Sequence, residues 1–167
     1  TAITIMTFFV SPLTALGLNL VPMTVSNIWQ FGRADNPKEL IKNYKYFAFF
    51  LSLCLLITSF YAVQFGDDFV RLIFAVAVLL FVCLQVFGFN LKMNDKYDNF
   101  WQSLLGVFGG LIGGVASIWA VPITMYLFMK NVTPKQFVDV SGFLIFIGCI
   151  PVSFGYIATG VFLPSMF

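Results

Sequence analysis

Few residues in this chain could do chemistry, and those few sit in apolar surroundings. Asn27 and Gln30 lie three apart in VPMTVSNIWQF, so on a helix they share one face. Their amides are uncharged donors that could hold an anion or, equally, hydrogen-bond a neighbouring helix. Asp139 is a lone carboxylate in an apolar run. Inside a membrane such a group points to function, here proton coupling. It also lies only one to two turns past a helix start, where the helix dipole alone would favour it. Ser117 and Trp119 sit between a glycine ladder and Pro122, and Thr7, Thr14 and Thr124 are hydroxyls in Pro-containing stretches. No histidine is present, so the commonest general base and metal ligand is missing. Cys54, Cys83 and Cys149 stand alone without CxxC spacing and read as packing thiols. No nucleophile–base pair, metal set or cofactor motif emerges, so the residues do not describe an enzyme.

What these groups mean depends on their solvent, and composition fixes that. The chain has 167 residues, 60% hydrophobic and 10% charged, with 22 phenylalanines and a mean hydropathy of +0.94. Soluble domains carry about 25% charged residues, so this chain could not cover a water-facing surface and reads as an integral membrane protein. A net charge of +2 is too small and scattered for a nucleic-acid partner. Thr1 opens inside one apolar stretch and Phe167 ends in another, with no signal-peptide pattern, which suggests part of a longer membrane protein.

The elements follow from hydropathy and punctuation. Residues 1–20, broken by Pro12 and Gly17, and 21–31, starting at Pro22, each fall short of the ~20 uninterrupted apolar residues of a span. They read as broken or partial spans. The loop 32–45 carries Arg33, Lys38, Lys42 and Lys45, and inside it Asn36-Pro37-Lys38-Glu39 is a capping-box helix start. That helix is predicted to run on from Pro37, with membrane depth from Tyr46 to Phe65 and with Tyr44 and Tyr46 in the interfacial belt. Gly66-Asp67-Asp68 turns it, and a second span returns to the polar loop 92–99. An apolar stretch follows from Trp101 to Met129. Thr133-Pro134-Lys135-Gln136 then starts a last helix, interrupted by Pro151 and Gly155. The positive-inside rule puts loops 32–45 and 92–98 in the cytoplasm. Lys130 and Lys135 fall outside if 101–129 crosses once, unless those lysines serve an anion.

The ladder GVFGGLIGGVASIWAVP (106–122) decides how the second half is read. It lacks the Lys-Ser/Thr of a phosphate loop and the spacing of a dinucleotide fingerprint. Gly106, Gly110 and Gly114 are four apart, as are Gly109 and Gly113, giving two close-packing stripes on adjacent faces. Gly113-Gly114 and Pro122 weaken the helix between them, and a half-helix N-terminus would offer positive partial charge to an anion. A shift of 110 residues lays TFFVSPLT (7–14) over SIWAVPIT (117–124), pairing Pro12 with Pro122 and Thr14 with Thr124. With two residues inserted, Pro22 pairs with Pro134 and Asn27 with Asp139. The chain thus divides into a first repeat at 1–100 and a second at 101–167, related in parallel or, if one segment is re-entrant, inverted.

At this point the residues resemble a known family, the sulfite exporter TauE/SafE transporters, whose two repeats each run from a glycine-rich stretch into a Pro-containing segment, a short turn and a second helix. The second repeat carries the ladder, Pro122, Tyr126-Leu127, Thr133-Pro134 and a helix near Phe137. The first keeps Pro12, the turn and the basic loop, without the glycine-rich lead-in, and the last helices after the second repeat are missing. The resemblance implies an all-α, polytopic transmembrane bundle with broken or re-entrant helices, in a bacterial cytoplasmic membrane. It also implies transport of small sulfur-containing anions without a cofactor. On this reading Asn27, Gln30, Ser117 and Trp119 meet the substrate, with Thr7, Thr14 and Thr124 secondary. Trp29 gates or packs. A channel and a purely structural subunit are the alternatives.

Overall fold

The computed structural model describes residues 12–61, 95–116 and 118–159, with isolated positions between 64 and 79. Among the described residues every regular element is helical: α1 (Pro12–Gly32), α2 (Pro37–Asn43), α3 (Lys45–Tyr61), α4 (Asp98–Ala116), α5 (Ala120–Met129) and α6 (Pro134–Ala158). A 3-10 turn, Asp95–Tyr97, leads into α4.

Periodicity explains which faces meet. Phe47, Leu51, Leu55 and Ser59 recur every four residues and form the buried stripe of α3. The α4 glycines 106, 110 and 114 lie against that stripe. A Cβ added at Gly106 would lie 2.9 Å from the Phe47 carbonyl oxygen, one at Gly110 would strike Cys54, and one at Gly114 would strike Thr58. These contacts advance together along both helices, so α3 and α4 run parallel at backbone contact. Gly155 against Ser59 and Gly148 against Leu55 show that α6 also runs parallel to α3. Helix α1 lies antiparallel on α6: Gln30 meets Gly142, Phe31 meets Phe143 at 5.2 Å, and Thr24, two turns earlier, faces Cys149.

The stretch 101–129 does not cross once. Gly113 packs on Trp119, Gly109 on Pro122, and Asp98 bonds Tyr126 and Lys130, so the contacts run in opposite order along α4 and α5. The chain goes in along α4, breaks, and returns along α5 to the end where it started. Lys135 and Asp35 form an ion pair at that same end, beside the 32–45 loop. The basic segments that were expected on two sides are gathered at one, here called the basic end.

Local signals were realised unevenly. The Thr133 capping box is complete: Thr133 Oγ1 accepts from the Gln136 N–H at 3.3 Å, and Gln136 Oε1 accepts from the Thr133 N–H at 3.1 Å. Just before it, Asn131 adopts φ 51°, with Asn131 N–H on the Phe128 carbonyl and Val132 N–H on the Leu127 carbonyl. This is a Schellman stop, in which Asn takes the left-handed position usually given to glycine. Asn36 makes no side-chain cap, although Pro37 does open α2. The expected continuous helix from Pro37 is instead broken at Tyr44 with a 73° bend. Tyr44 is buried against Tyr126 rather than interfacial, while Tyr46 remains exposed beneath Lys45.

Prolines broke fewer helices than expected. Helix α1 runs unbroken through Pro22, and α6 runs unbroken through Pro151 and Gly155. Proline removes one hydrogen bond, but in apolar surroundings unwinding would strand several more, so the helix persists. Helix α6, at 25 residues, is long and apolar enough to cross a membrane, and α2–α3 meets the same test only if the bent pair counts as one span. Helix α5 has 10 residues, a rise of about 15 Å, half the thickness of a hydrocarbon core.

Candidate functional site

The break between α4 and α5 is built by side chains of unequal size. Trp119 is fully buried at the N-cap position of α5, with no side-chain cap on that helix end. Its ring fits because its neighbours lack side chains: a Cβ at Gly113 would lie 2.9 Å from Trp119 Cβ, and one at Gly148 would lie 3.2 Å from the indole nitrogen. The indole Nε1–H has no hydrogen-bond partner, alone among the buried side-chain polar atoms of the described residues. Leaving such a donor unpaired costs about 1–3 kcal/mol. Across the break, the buried Tyr156 hydroxyl donates to the Gly114 carbonyl at 3.3 Å, satisfying one acceptor at the end of α4. Thr58 Oγ1 does the same for the Gly110 carbonyl at 2.9 Å.

The other sequence-predicted residues are dispersed. Asn27 is buried, but its Nδ2 donates to the Met23 carbonyl of its own helix at 2.7 Å. Gln30 is half-buried against Gly142. Gly142 and Gly148 are six residues apart and so face different sides of α6, which means that Gln30 and Trp119 touch that helix on separate faces. Thr124 Oγ1 donates to the Ala120 carbonyl within α5 at 2.8 Å. Asp139 lies one turn beyond Lys135, at the basic end of α6. Pro12 and Thr14 lie in the first turn of α1. Thr7 and Ser117 lie outside the described residues. Trp29 neither gates nor packs inside: it is 64% exposed with Arg33 stacked 4.9 Å over its ring. Cys149 is buried and Cys54 half-buried, as packing thiols would be, and Cys83 lies outside the described residues.

The structure adds a cluster that the sequence reading placed in a loop. At the basic end Asp98 accepts from the Tyr126 hydroxyl at 2.6 Å, from Lys130 Nζ at 2.7 Å and from Gln102 Nε2 at 3.0 Å. Gln102 is fully buried; its Nε2 also donates to the Asn43 carbonyl at 2.8 Å, and its Oε1 accepts from the Phe47 N–H at 3.3 Å. Asn43 and Phe47 are the donor–acceptor pair that an unbroken helix would join directly. The Gln102 amide replaces that missing bond, a side chain inserted into the ladder at the bend. Partial burial pushes the Asp98 carboxyl up, but the Lys130, Tyr126 and Gln102 hydrogen bonds and the Lys130 charge outweigh it and hold it below the usual carboxylate range. One signal could have exposed the cluster: a glutamine buried among Trp101, Leu104 and Leu105 needs partners. Nothing in the spacing names them, since they lie up to 59 positions away.

The comparisons with known proteins bear on the chain as a whole. Set against curated proteins and against solved structures, it has no match. The family description "Sulfite exporter TauE/SafE" matches residues 1–167, which is the full length given. With the glycine ladder, the in-and-back α4–α5 pair and the apolar composition already in view, the chain belongs to the sulfite exporter TauE/SafE family of membrane transporters.

Proposed function

We propose that this protein is a secondary transporter that moves small sulfur-containing oxyanions, such as sulfite or a sulfonate, by alternating access around the α4–α5 break. The observation that carries this reading is the buried Trp119 indole N–H, left without a partner at the N-terminus of a half-length helix. A neutral donor beside a positive helix end suits a small anion in a low-dielectric site. Non-helical backbone at membrane depth is tolerated where protein or a wet path surrounds it, and α4–α5 has the shape of a re-entrant segment. Ser117 and Thr124 flank the same break. Asn27 and Gln30 supply amide donors along α1, and Thr7, Thr14 and Pro12 form the corresponding segment of a first repeat. Asp139 serves to couple a proton. The protein sits in a bacterial cytoplasmic membrane as a polytopic bundle with its basic end inside, since Arg33, Lys38, Lys42, Lys45, Lys130 and Lys135 then all obey the positive-inside rule.

The test is flux in proteoliposomes of the intact protein, with sulfite, taurine-like sulfonates and simple carboxylates, with and without a pH gradient. Saturable sulfur-oxyanion flux is expected. Flux that is linear in substrate and indifferent to the gradient would replace the carrier with a pore, and no flux of any anion would remove the transport reading.

A further inference from the structure

The Asp98 cluster does more than tie helices together. Three donors of different chemistry, a phenol, an ammonium and an amide, come from α4, α5 and the residue after α5, and converge on the two oxygens of one carboxylate. Each is held in place by groups other than Asp98. The Gln102 amide is fixed by Asn43 and Phe47, and the Tyr126 ring packs 5.3 Å from Phe47 and 6.0 Å from Tyr44. Lys130 Nζ lies 5.0 Å over the Tyr44 ring and also donates to the Tyr126 hydroxyl at 3.2 Å. Without the carboxylate these donors would still surround the same point, a preorganised site for an oxyanion. The Asp98 side chain is 20% exposed and that of Lys130 23%, so the point can be reached from the basic end. Below it Phe47, Leu51 and Ile123 are fully buried and close the way to Trp119.

We propose that Asp98 occupies an oxyanion seat at the mouth of the pathway, and that a small substrate oxyanion displaces it from Lys130, Tyr126 and Gln102 as it enters or leaves. This rests on the transport reading. It makes the bound carboxylate a resident stand-in for substrate: the mouth stays neutral and closed until an anion with equivalent acceptors takes its place. A purely structural ion pair predicts instead that free anions have no effect when Asp98 is removed.

The first experiment is thermal unfolding of the purified intact protein as wild type, Asp98→Ala and Asp98→Ala/Lys130→Met, in formate, sulfite or chloride at constant ionic strength. Formate and sulfite should raise the Tm of Asp98→Ala saturably relative to chloride, and should leave the wild type and the double variant unmoved. No saturable effect, or an equal one in the double variant, overturns the seat. Asp98→Asn, which keeps the side chain's shape, covers the case in which the alanine variant does not fold. In sided vesicles its KM for sulfite at the basic face should fall about two- to fivefold, the size of one partly exposed charge pair, with the KM at the opposite face unchanged. Equal KM values at both faces overturn the proposal too. A wild type that moves sulfite while the variants ignore anions removes the seat alone. A wild type that moves no anion removes the transport reading, and the formate result still decides whether the seat exists.

Discussion

Trp119 and Asp98 are opposite solutions to burying polarity, one donor unpaired and one acceptor saturated. Trp119→Phe deletes a donor whose burial costs about 1–3 kcal/mol, which offsets much of the packing lost with the smaller ring. Its Tm should therefore change little, while the KM for sulfite rises about three- to tenfold, the worth of one neutral hydrogen bond. A large Tm loss with unchanged KM would make Trp119 a packing residue only. Asp98 carries a pH signature. Its folded pKa lies below that of the unfolded chain, so the stability it contributes is fully present above about pH 3.9 and is lost as the pH falls through the lower folded value. Asp98→Asn should lack this acid component in pH-dependent unfolding. Sequence could nominate Trp119, because glycines and a proline bracket it. It could not nominate Asp98, whose partner Lys130 lies 32 positions away and whose loop setting made it ordinary.

Elements were legible where their instructions are local. The Thr133–Gln136 box needs four consecutive residues, and it formed as read. The bend at Tyr44, the persistence of α1 through Pro22 and the return of α5 depend on contacts between distant segments, so hydropathy alone missed them. Glycine spacing was informative because backbone contact between helices leaves no room for Cβ. Gly110→Ala would drive a methyl into Cys54 and to within 2.9 Å of the Leu51 carbonyl oxygen. It should cost about 1–3 kcal/mol, read as a lower Tm or loss of monodisperse protein. Gly32→Ala, with nothing within 4 Å, is the neutral control. At the α5–α6 turn, Asn131→Val should lose about 1–2 kcal/mol, because a β-branched residue resists the left-handed backbone. Asn131→Gly should not, and equal losses in thermal unfolding would show that the Asn side chain rather than its φ matters.

At the scale of the molecule, the return of α5 reassigns a whole end. A single crossing of 101–129 would put Lys38 and Lys135 on opposite sides of the membrane. The ion pair between Asp35 and Lys135 puts them on one. With native cysteines replaced, Lys38→Cys and Lys135→Cys in the intact protein should both react with an impermeant thiol reagent from the cytoplasmic face and from that face alone. Labelling from opposite faces would restore the single crossing.

The amide of Gln102 at the α2–α3 bend also has a consequence in time. Residues 37–61 leave the ribosome well before Gln102 does, so during synthesis nothing is yet available to stand between Asn43 and Phe47. The nascent segment should enter the bilayer straight and fold at Tyr44 only when the later helix docks. A peptide covering 36–61 in micelles is accordingly expected to be one continuous helix by NMR. A bend in that isolated peptide would show that the angle is set locally. If the peptide is straight, the kink is a record of assembly, written by a residue the ribosome had not yet reached.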